Sequence, residues 1–66
     1  MRILLNGTPR EIESGLTLLG LLARLGLEPR RVAVAINATV VPRHELDTRQ
    51  AADGDRIEVI EAVGGG

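Results

Sequence analysis

The sequence reads TLLGLLARLG from Thr17 to Gly26, and the leucines of this stretch recur with a helical period. Four of them fall at positions i, i+3, i+4 and i+7, on one face of an α-helix: Leu18, Leu21, Leu22 and Leu25. Thr17 is a typical N-cap residue, and Gly26 suits the left-handed conformation that often follows a helix C-terminus. The stretch therefore predicts a helix over residues 18–25. Because so short a helix is marginal alone, its leucine face must pack on a sheet.

Aliphatic segments on both sides of this helix predict that sheet. Before the helix, residues 2–6 form a strand that ends at Asn6-Gly7, the pair that best supplies the positive φ angles of a tight hairpin turn. Residues 10–13 form the second strand, with Pro9 at its entry or edge. After the helix, residues 32–36 alternate large and small apolar side chains, which is typical of a central strand. Its large side chains meet the helix, and its alanines form a shallow outer face open to docking.

The rest of the chain is predicted as an irregular stretch followed by a last strand. Residues 37–38 predict a turn into residues 39–41, and residues 42–46 predict a polar connection with one helical turn. The turn at 53–55 begins the last strand, residues 56–62, with Ile57 and Val59 pointing inward. One main helix on one face of a mixed sheet of four or five strands is an α+β roll. When its first and last strands lie side by side and parallel, the arrangement is the β-grasp fold.

Length and composition exclude many classes of function. A chain of 66 residues forms one small domain, so we do not expect an enzyme with a closed active site. The absence of cysteine and the single histidine, His44, argue against metal and redox chemistry. A formal net charge of −1 without any aromatic residue argues against a nucleic-acid partner. No long apolar run follows Met1, so we expect neither a signal peptide nor a membrane span, and a cytoplasmic protein.

The most informative segment is the glycine-rich end, Val63-Gly64-Gly65-Gly66. The only serine, Ser14, fits a turn residue, and His44 fits a surface histidine. The last four residues fit a frayed terminus or a cloning linker, but they also fit a functional tail. We predict a β-grasp domain over residues 1–62 and a flexible tail over residues 63–66, which reaches roughly 13 Å when extended. Because glycine has no side chain, such a tail can thread a narrow channel in another protein.

A carboxylate at the end of such a tail can carry sulfur after activation. Adenylation with ATP converts the carboxylate to an acyl-adenylate, and a sulfur nucleophile then displaces AMP. The product is a C-terminal thiocarboxylate. The small protein is then a co-substrate, and the catalytic groups belong to its partners.

The whole chain resembles the ThiS-type sulfur carrier proteins of thiamine biosynthesis, small ubiquitin-like proteins with a β-grasp fold. The resemblance rests on Asn6-Gly7 after the opening strand, Ala35-Ile36-Asn37 with Val40-Val41-Pro42-Arg43, the turn Asp53-Gly54-Asp55 with Ile57, and the terminal Val63-Gly64-Gly65-Gly66. The double-glycine end is shared across the wider superfamily, and the run from Ile36 to Arg43 looks most like the thiamine branch.

The resemblance implies partners and site residues. Gly66 would be adenylated by a ThiF-type enzyme that consumes ATP, while the carrier itself, a monomer when free, binds no cofactor. A sulfur-donating protein would supply the sulfur, and a ThiG-type thiazole synthase would receive it. Gly65 completes the double glycine, with Val63 and Gly64 as the rest of the tail. The last strand and the adjacent sheet face would dock on partners, with Ile60 pointing outward beside Leu4, although these two aliphatic residues also fit ordinary surface.

Other functions fit the same features. The small subunit of molybdopterin synthase and a carrier for tRNA thiolation share the fold and the glycine tail. A β-grasp interaction module with a passive tail is a different class, and it would tolerate removal or extension of Gly66. The role of Arg43 is open between a family function, a solvated side chain and an ion pair with Glu45. The acidic turn at 53–55 is interpreted as structural.

Overall fold

The computed structural model describes residues 1–61 of the chain. Its elements are β1 (Arg2–Leu5), β2 (Thr8–Glu11), α1 (Leu18–Arg24), β3 (Val32–Ile36), β4 (Thr39–Val41) and β5 (Arg56–Glu61), with 3-10 turns at Pro29–Arg31 and Arg43–Glu45. The five strands form one mixed sheet in the order β2-β1-β5-β3-β4. The first and last strands are adjacent and parallel, and the other neighbouring pairs are antiparallel. The predicted α+β roll is confirmed.

Helix α1 begins at Leu18, as the sequence predicts, and ends at Arg24, one residue before the predicted end. The Thr17 Oγ1 atom accepts a hydrogen bond from the Gly20 N–H at 3.1 Å, which caps the N-terminus. Leu25 is the C-cap, and Gly26 follows with a φ angle of +71°. The three leucines on the inner face of the helix are at most 3% exposed: Leu18, Leu21 and Leu22. Burial of each contributes roughly 1.5–3 kcal/mol, so packing on the sheet stabilises the short helix.

The core lies between α1 and the inner face of the sheet. Its strand residues are Ile3, Val32, Val34, Ile36, Val41, Ile57 and Val59. Ile57 has no exposed surface, and it pairs with Leu5 on one side and Ile36 on the other. Leu46 and Ala51 are also buried in the core. Leu46 ends the stretch that we predicted as a polar connection, so that stretch has an apolar anchor.

Two predictions about strands are wrong. The second strand spans Thr8–Glu11 rather than residues 10–13, because the two-residue turn at Asn6-Gly7 pairs Leu5 directly with Thr8. Pro9 consequently lies inside this edge strand, where its missing N–H is tolerated. Residues 39–41, predicted as part of an irregular stretch, form the short strand β4 beside β3. The predicted central position of β3 is confirmed, since β3 lies between β5 and β4. The last strand is described as far as Glu61, and the predicted final residue, Ala62, lies outside the described residues.

Both β-hairpins turn through two residues with positive φ angles. The values are +49° and +82° at Asn6 and Gly7, and +49° and +71° at Asn37 and Ala38. Turns of this kind match the twist of antiparallel strands, and they favour Asn-Gly because both residues are left-handed. Ala38 therefore holds a conformation that costs an L-residue with a β-carbon roughly 1–2 kcal/mol.

We expect Ala38→Gly to stabilise the protein by about 0.5–1 kcal/mol, because relief of the left-handed strain exceeds the added entropy of the unfolded chain. The reciprocal variant is Gly7→Ala, at the equivalent position of the other hairpin. A β-carbon at Gly7 meets no heavy atom within 4 Å, so its expected destabilisation of about 1 kcal/mol is conformational. Urea denaturation of both variants measures the two changes. A loss of stability in Ala38→Gly would contradict the argument.

Candidate functional site

The sheet face opposite α1 carries two exposed aliphatic side chains separated by alanines. Ile60 is 63% exposed and pairs with Ala33, whereas Val40 is 68% exposed and pairs with Ala35. Because residues that pair directly project to the same side of a sheet, these four side chains share one face. We call this side of the sheet, with Leu4 of β1, the outer sheet face. The predicted outward direction of Ile60 and the shallow alanine surface are confirmed.

Leu4 lies on the outer sheet face. The prediction that it is the neighbour of Ile60 is wrong. Leu4 is partly buried and pairs with Arg56, four residues before Ile60 on β5. At about 3.3 Å per residue, roughly 13 Å separates the two positions along the strand. The residue that pairs with Ile60 is Ala33 on the neighbouring strand β3. The sequence analysis did not identify Val40 as a candidate docking residue. Its position opposite the alternating valines and alanines of β3 could have indicated that its side chain lies on the outer sheet face.

Asn6 holds the part of β5 that extends beyond β1. Strand β1 ends at Leu5, whereas β5 continues for four residues past its pairing with Leu5. The Asn6 Oδ1 atom accepts a hydrogen bond from the Val59 N–H at 2.8 Å, and its Nδ2 atom donates to the Val59 carbonyl at 3.2 Å. The side-chain amide thereby supplies the donor and the acceptor that a further strand residue would have given.

Asn37 plays the corresponding part where β5 begins. Its backbone N–H donates to the Arg56 carbonyl at 2.7 Å, and its Oδ1 atom accepts from the Arg56 N–H at 2.9 Å. Its Nδ2 atom donates to Asp55 Oδ1 at 3.1 Å. Asp55 also accepts from the Ala52 N–H, and Asp53 accepts from the Arg2 N–H, each at 2.8 Å. The structural interpretation of the acidic turn is therefore confirmed.

The remaining candidate side chains lie at the surface. Ser14 is exposed in a turn, and the His44 side chain is 81% exposed, as predicted for both. The Glu45 carboxylate lies 3.7 Å from His44 Nε2, and within residues 1–61 it forms no ion pair with Arg43. The ion pair between Arg43 and Glu45, one of the roles that the sequence left open for Arg43, is therefore not formed among the described residues.

No group of three or more metal-ligating side chains occurs in the part of the chain that the structure describes. Among the same residues, no helix is long and apolar enough to cross a membrane. The tail residues Val63, Gly64, Gly65 and Gly66 lie outside the described range. The description ends at Glu61, immediately after Ile60 on the outer sheet face.

Comparisons with known proteins identify the family to which this chain is similar. The sequence matches the ThiS family over residues 3–66. A thiazole synthase of Magnetococcus marinus is 46% identical over 66 residues, although the chain spans only 20% of its length. The sulfur carrier protein ThiS of Thermus thermophilus is 40% identical over 62 residues, which cover 94% of this chain and 95% of that protein.

A solved structure agrees with these sequence matches. The crystal structure of the thiamine biosynthesis protein ThiS from Geobacter metallireducens superimposes with a TM-score of 0.83 at 30% identity, over the full length of both chains. The five-stranded mixed sheet with one helix is thus the ubiquitin-like β-grasp of that protein. On the family match over residues 3–66 and the relative in Thermus thermophilus, the chain belongs to the ThiS family.

Proposed function

We propose that the protein is a sulfur carrier in thiamine biosynthesis and that Gly66 carries the sulfur as a thiocarboxylate. The observation that carries the proposal is the family match over residues 3–66, which runs through the glycine tail. In this function the protein is a co-substrate rather than an enzyme. The ATP is consumed by its activating partner.

The proposed chemistry takes place at the Gly66 carboxylate in two steps. In the first, a carboxylate oxygen attacks the α-phosphorus of ATP on a ThiF-type enzyme, and pyrophosphate leaves. The product is a mixed anhydride, whose carbonyl carbon is a good electrophile. In the second step, hydrosulfide attacks that carbon, AMP leaves with the bonding electrons, and a proton is released from sulfur. The thiocarboxylate that remains is a nucleophilic sulfur donor, and in the cell a sulfur-donating protein would supply the sulfur.

The body of the protein would present the tail to its partners. The hydrogen bonds from Asn6 and Asn37 hold β5 at Val59 and Arg56, and β5 is the strand that leads into the tail. The outer sheet face would provide the docking surface, with Leu4 near one end and Ile60 near the other. The described exposure of Ile60 and Val40 supports this assignment, because both offer apolar area to a partner.

We further propose a ThiG-type thiazole synthase as the acceptor of the sulfur. The support is the thiazole synthase of Magnetococcus marinus, which contains a segment 46% identical to this chain. That relationship favours the thiamine branch over molybdopterin synthesis and tRNA thiolation. Transfer to a thiazole synthase also requires release from the activating enzyme, so the carrier must bind two partners in turn.

Intact mass spectrometry tests the proposal directly. The protein is incubated with ATP, sulfide and a ThiF-type enzyme, beside a variant that lacks Gly66. We expect the full chain to gain the mass difference between sulfur and oxygen and the shortened variant to gain nothing. Equal masses before and after incubation with an enzyme that loads its own carrier would contradict sulfur carriage and favour the passive interaction module. Thiazole formation from the loaded protein then tests the pathway.

A further inference from the structure

Three arginines surround the point where the described part of β5 ends. Arg30 and Arg31 lie in the 3-10 turn Pro29–Arg31, and Arg43 begins the 3-10 turn Arg43–Glu45. These arginines line one open depression of about 250 Å³. The other residues that line the depression are Val32, Ala33, Ile60 and Glu61. We call Arg30, Arg31 and Arg43 the arginine cluster.

The cluster concentrates positive charge on a chain whose formal net charge is −1. None of its members forms an ion pair with a carboxylate of residues 1–61. Among residues 1–61, Arg2 is paired with Glu11 and Arg24 with Glu13, whereas Arg10, Arg49 and Arg56 are also without an ion pair. The cluster is distinguished by the convergence of three arginines on one depression. Glu61 is the one acidic residue among those described that line the depression. The Ile60 end of the outer sheet face is therefore positively charged.

The fold does not account for this grouping. All three residues of the cluster are exposed, and the two turns that carry them contain no buried residue. Like charges that converge on one depression repel each other, which costs stability rather than adding to it. A ligand of opposite charge would offset that repulsion.

We infer that the arginine cluster docks on an acidic surface beside the opening through which the activating enzyme takes up the tail. This inference rests on the proposed function. Because β5 leads into the tail, charges at its end align the tail with such an opening. Guanidinium groups suit carboxylate partners, with which they form paired hydrogen bonds.

Exposed charge pairs also suit a carrier that must change partners. Complementary charge raises association rate constants by roughly 10–10³-fold, and rim charges add little to the lifetime of a complex. An arginine cluster at the rim thus speeds encounter with the activating enzyme without delaying release. The aliphatic side chains of the outer sheet face supply apolar contact area, and the cluster sets the orientation.

Charge reversal tests the inference. The test variant is the double substitution Arg31→Glu and Arg43→Glu. Its matched control is Arg10→Glu with Arg49→Glu, which changes the net charge equally at exposed arginines outside the cluster.

Pyrophosphate release by the ThiF-type enzyme is measured against carrier concentration at low and high salt. At low salt we expect the test variant to raise KM about 10-fold or more, with kcat within about 2-fold. The control should change KM less than about 3-fold, and salt should weaken wild-type turnover far more than that of the test variant.

Each alternative outcome has a distinct meaning. A test variant with the KM and salt dependence of the wild type would overturn the inference, and so would equal KM increases in the test and control variants. Thermal denaturation shows whether the variants are folded. If the charge-reversed variant does not fold, Arg31→Gln with Arg43→Gln replaces it, with an expected rise in KM of about 3-fold or more. Failure of the wild type to be adenylated would overturn the proposed function together with this inference, whereas normal wild-type turnover with an unaffected test variant would overturn the inference alone.

Discussion

Adding one alanine after Gly66 is expected to abolish sulfur loading and to leave the fold unchanged. The reacting group is the terminal carboxylate, and one added residue moves it by about 3.3–3.6 Å along an extended tail. A misplacement of about 1 Å can lower a rate roughly 100-fold, so the displaced carboxylate cannot reach the α-phosphorus of ATP productively. The addition also brings a β-carbon to the end of a tail of glycines. We therefore expect a decrease in the loading rate of at least about 100-fold.

Intact mass against time, in the presence of ATP, sulfide and the ThiF-type enzyme, measures this effect. Gly64→Ala is the matched control, because it adds one methyl group to the tail and keeps its length. If length is decisive, Gly64→Ala loads faster than the extended variant. Thermal denaturation should give the same midpoint for both variants and the wild type, since the core lies within residues 3–59. An extended chain that loads at the wild-type rate would contradict carriage on Gly66.

The local sequence predicts the elements of this fold better than their register. Helix α1 was predictable because its cap, its leucine period and its terminal glycine all lie within ten consecutive residues. The outward direction of Ile60 followed from strand alternation alone. The neighbour of Ile60 did not, because it depends on the parallel pairing of Leu4 with Arg56, which no local pattern specifies. The predicted bounds of β2 are wrong because the strand begins directly after the two-residue turn at Asn6-Gly7.

The second role of the turn asparagines was also hidden from the sequence. Asn6 was predicted only as a turn residue, and its positive φ angle confirms that role. Its side-chain partner, Val59, is 53 residues away, so only the folded sheet reveals the contact. The candidate docking surface was similarly incomplete. Val40 and the arginine cluster join Ile60 only when β3, β4 and the two 3-10 turns assemble around the end of β5.

Replacement of Asn6 is expected to produce the largest loss of stability among the surface substitutions considered. Asn6→Gly removes both hydrogen bonds to Val59, each of which contributes about 0.5–1.5 kcal/mol, and it keeps the left-handed turn. We expect a loss of about 1–3 kcal/mol for this variant. Asn6→Ala adds the left-handed strain of a β-carbon, roughly 1–2 kcal/mol more. For a chain of 66 residues, whose expected stability is roughly 3–10 kcal/mol, Asn6→Ala therefore approaches the limit of folding.

The two Asn6 variants separate the turn from the strand contact. Urea denaturation gives the stability of each, and amide hydrogen exchange at Val59 reports the local contact. In Asn6→Gly, exchange at Val59 should accelerate more than exchange at Leu21, whose N–H donates to the Thr17 carbonyl inside α1 at 2.9 Å and follows global unfolding. Asn6→Asp keeps the oxygen that accepts from the Val59 N–H but loses the donor to its carbonyl, so its effect at Val59 should be intermediate. If Val59 and Leu21 accelerate equally in Asn6→Gly, the side chain stabilises the hairpin alone. The end of β5 would then depend on β3 for its position.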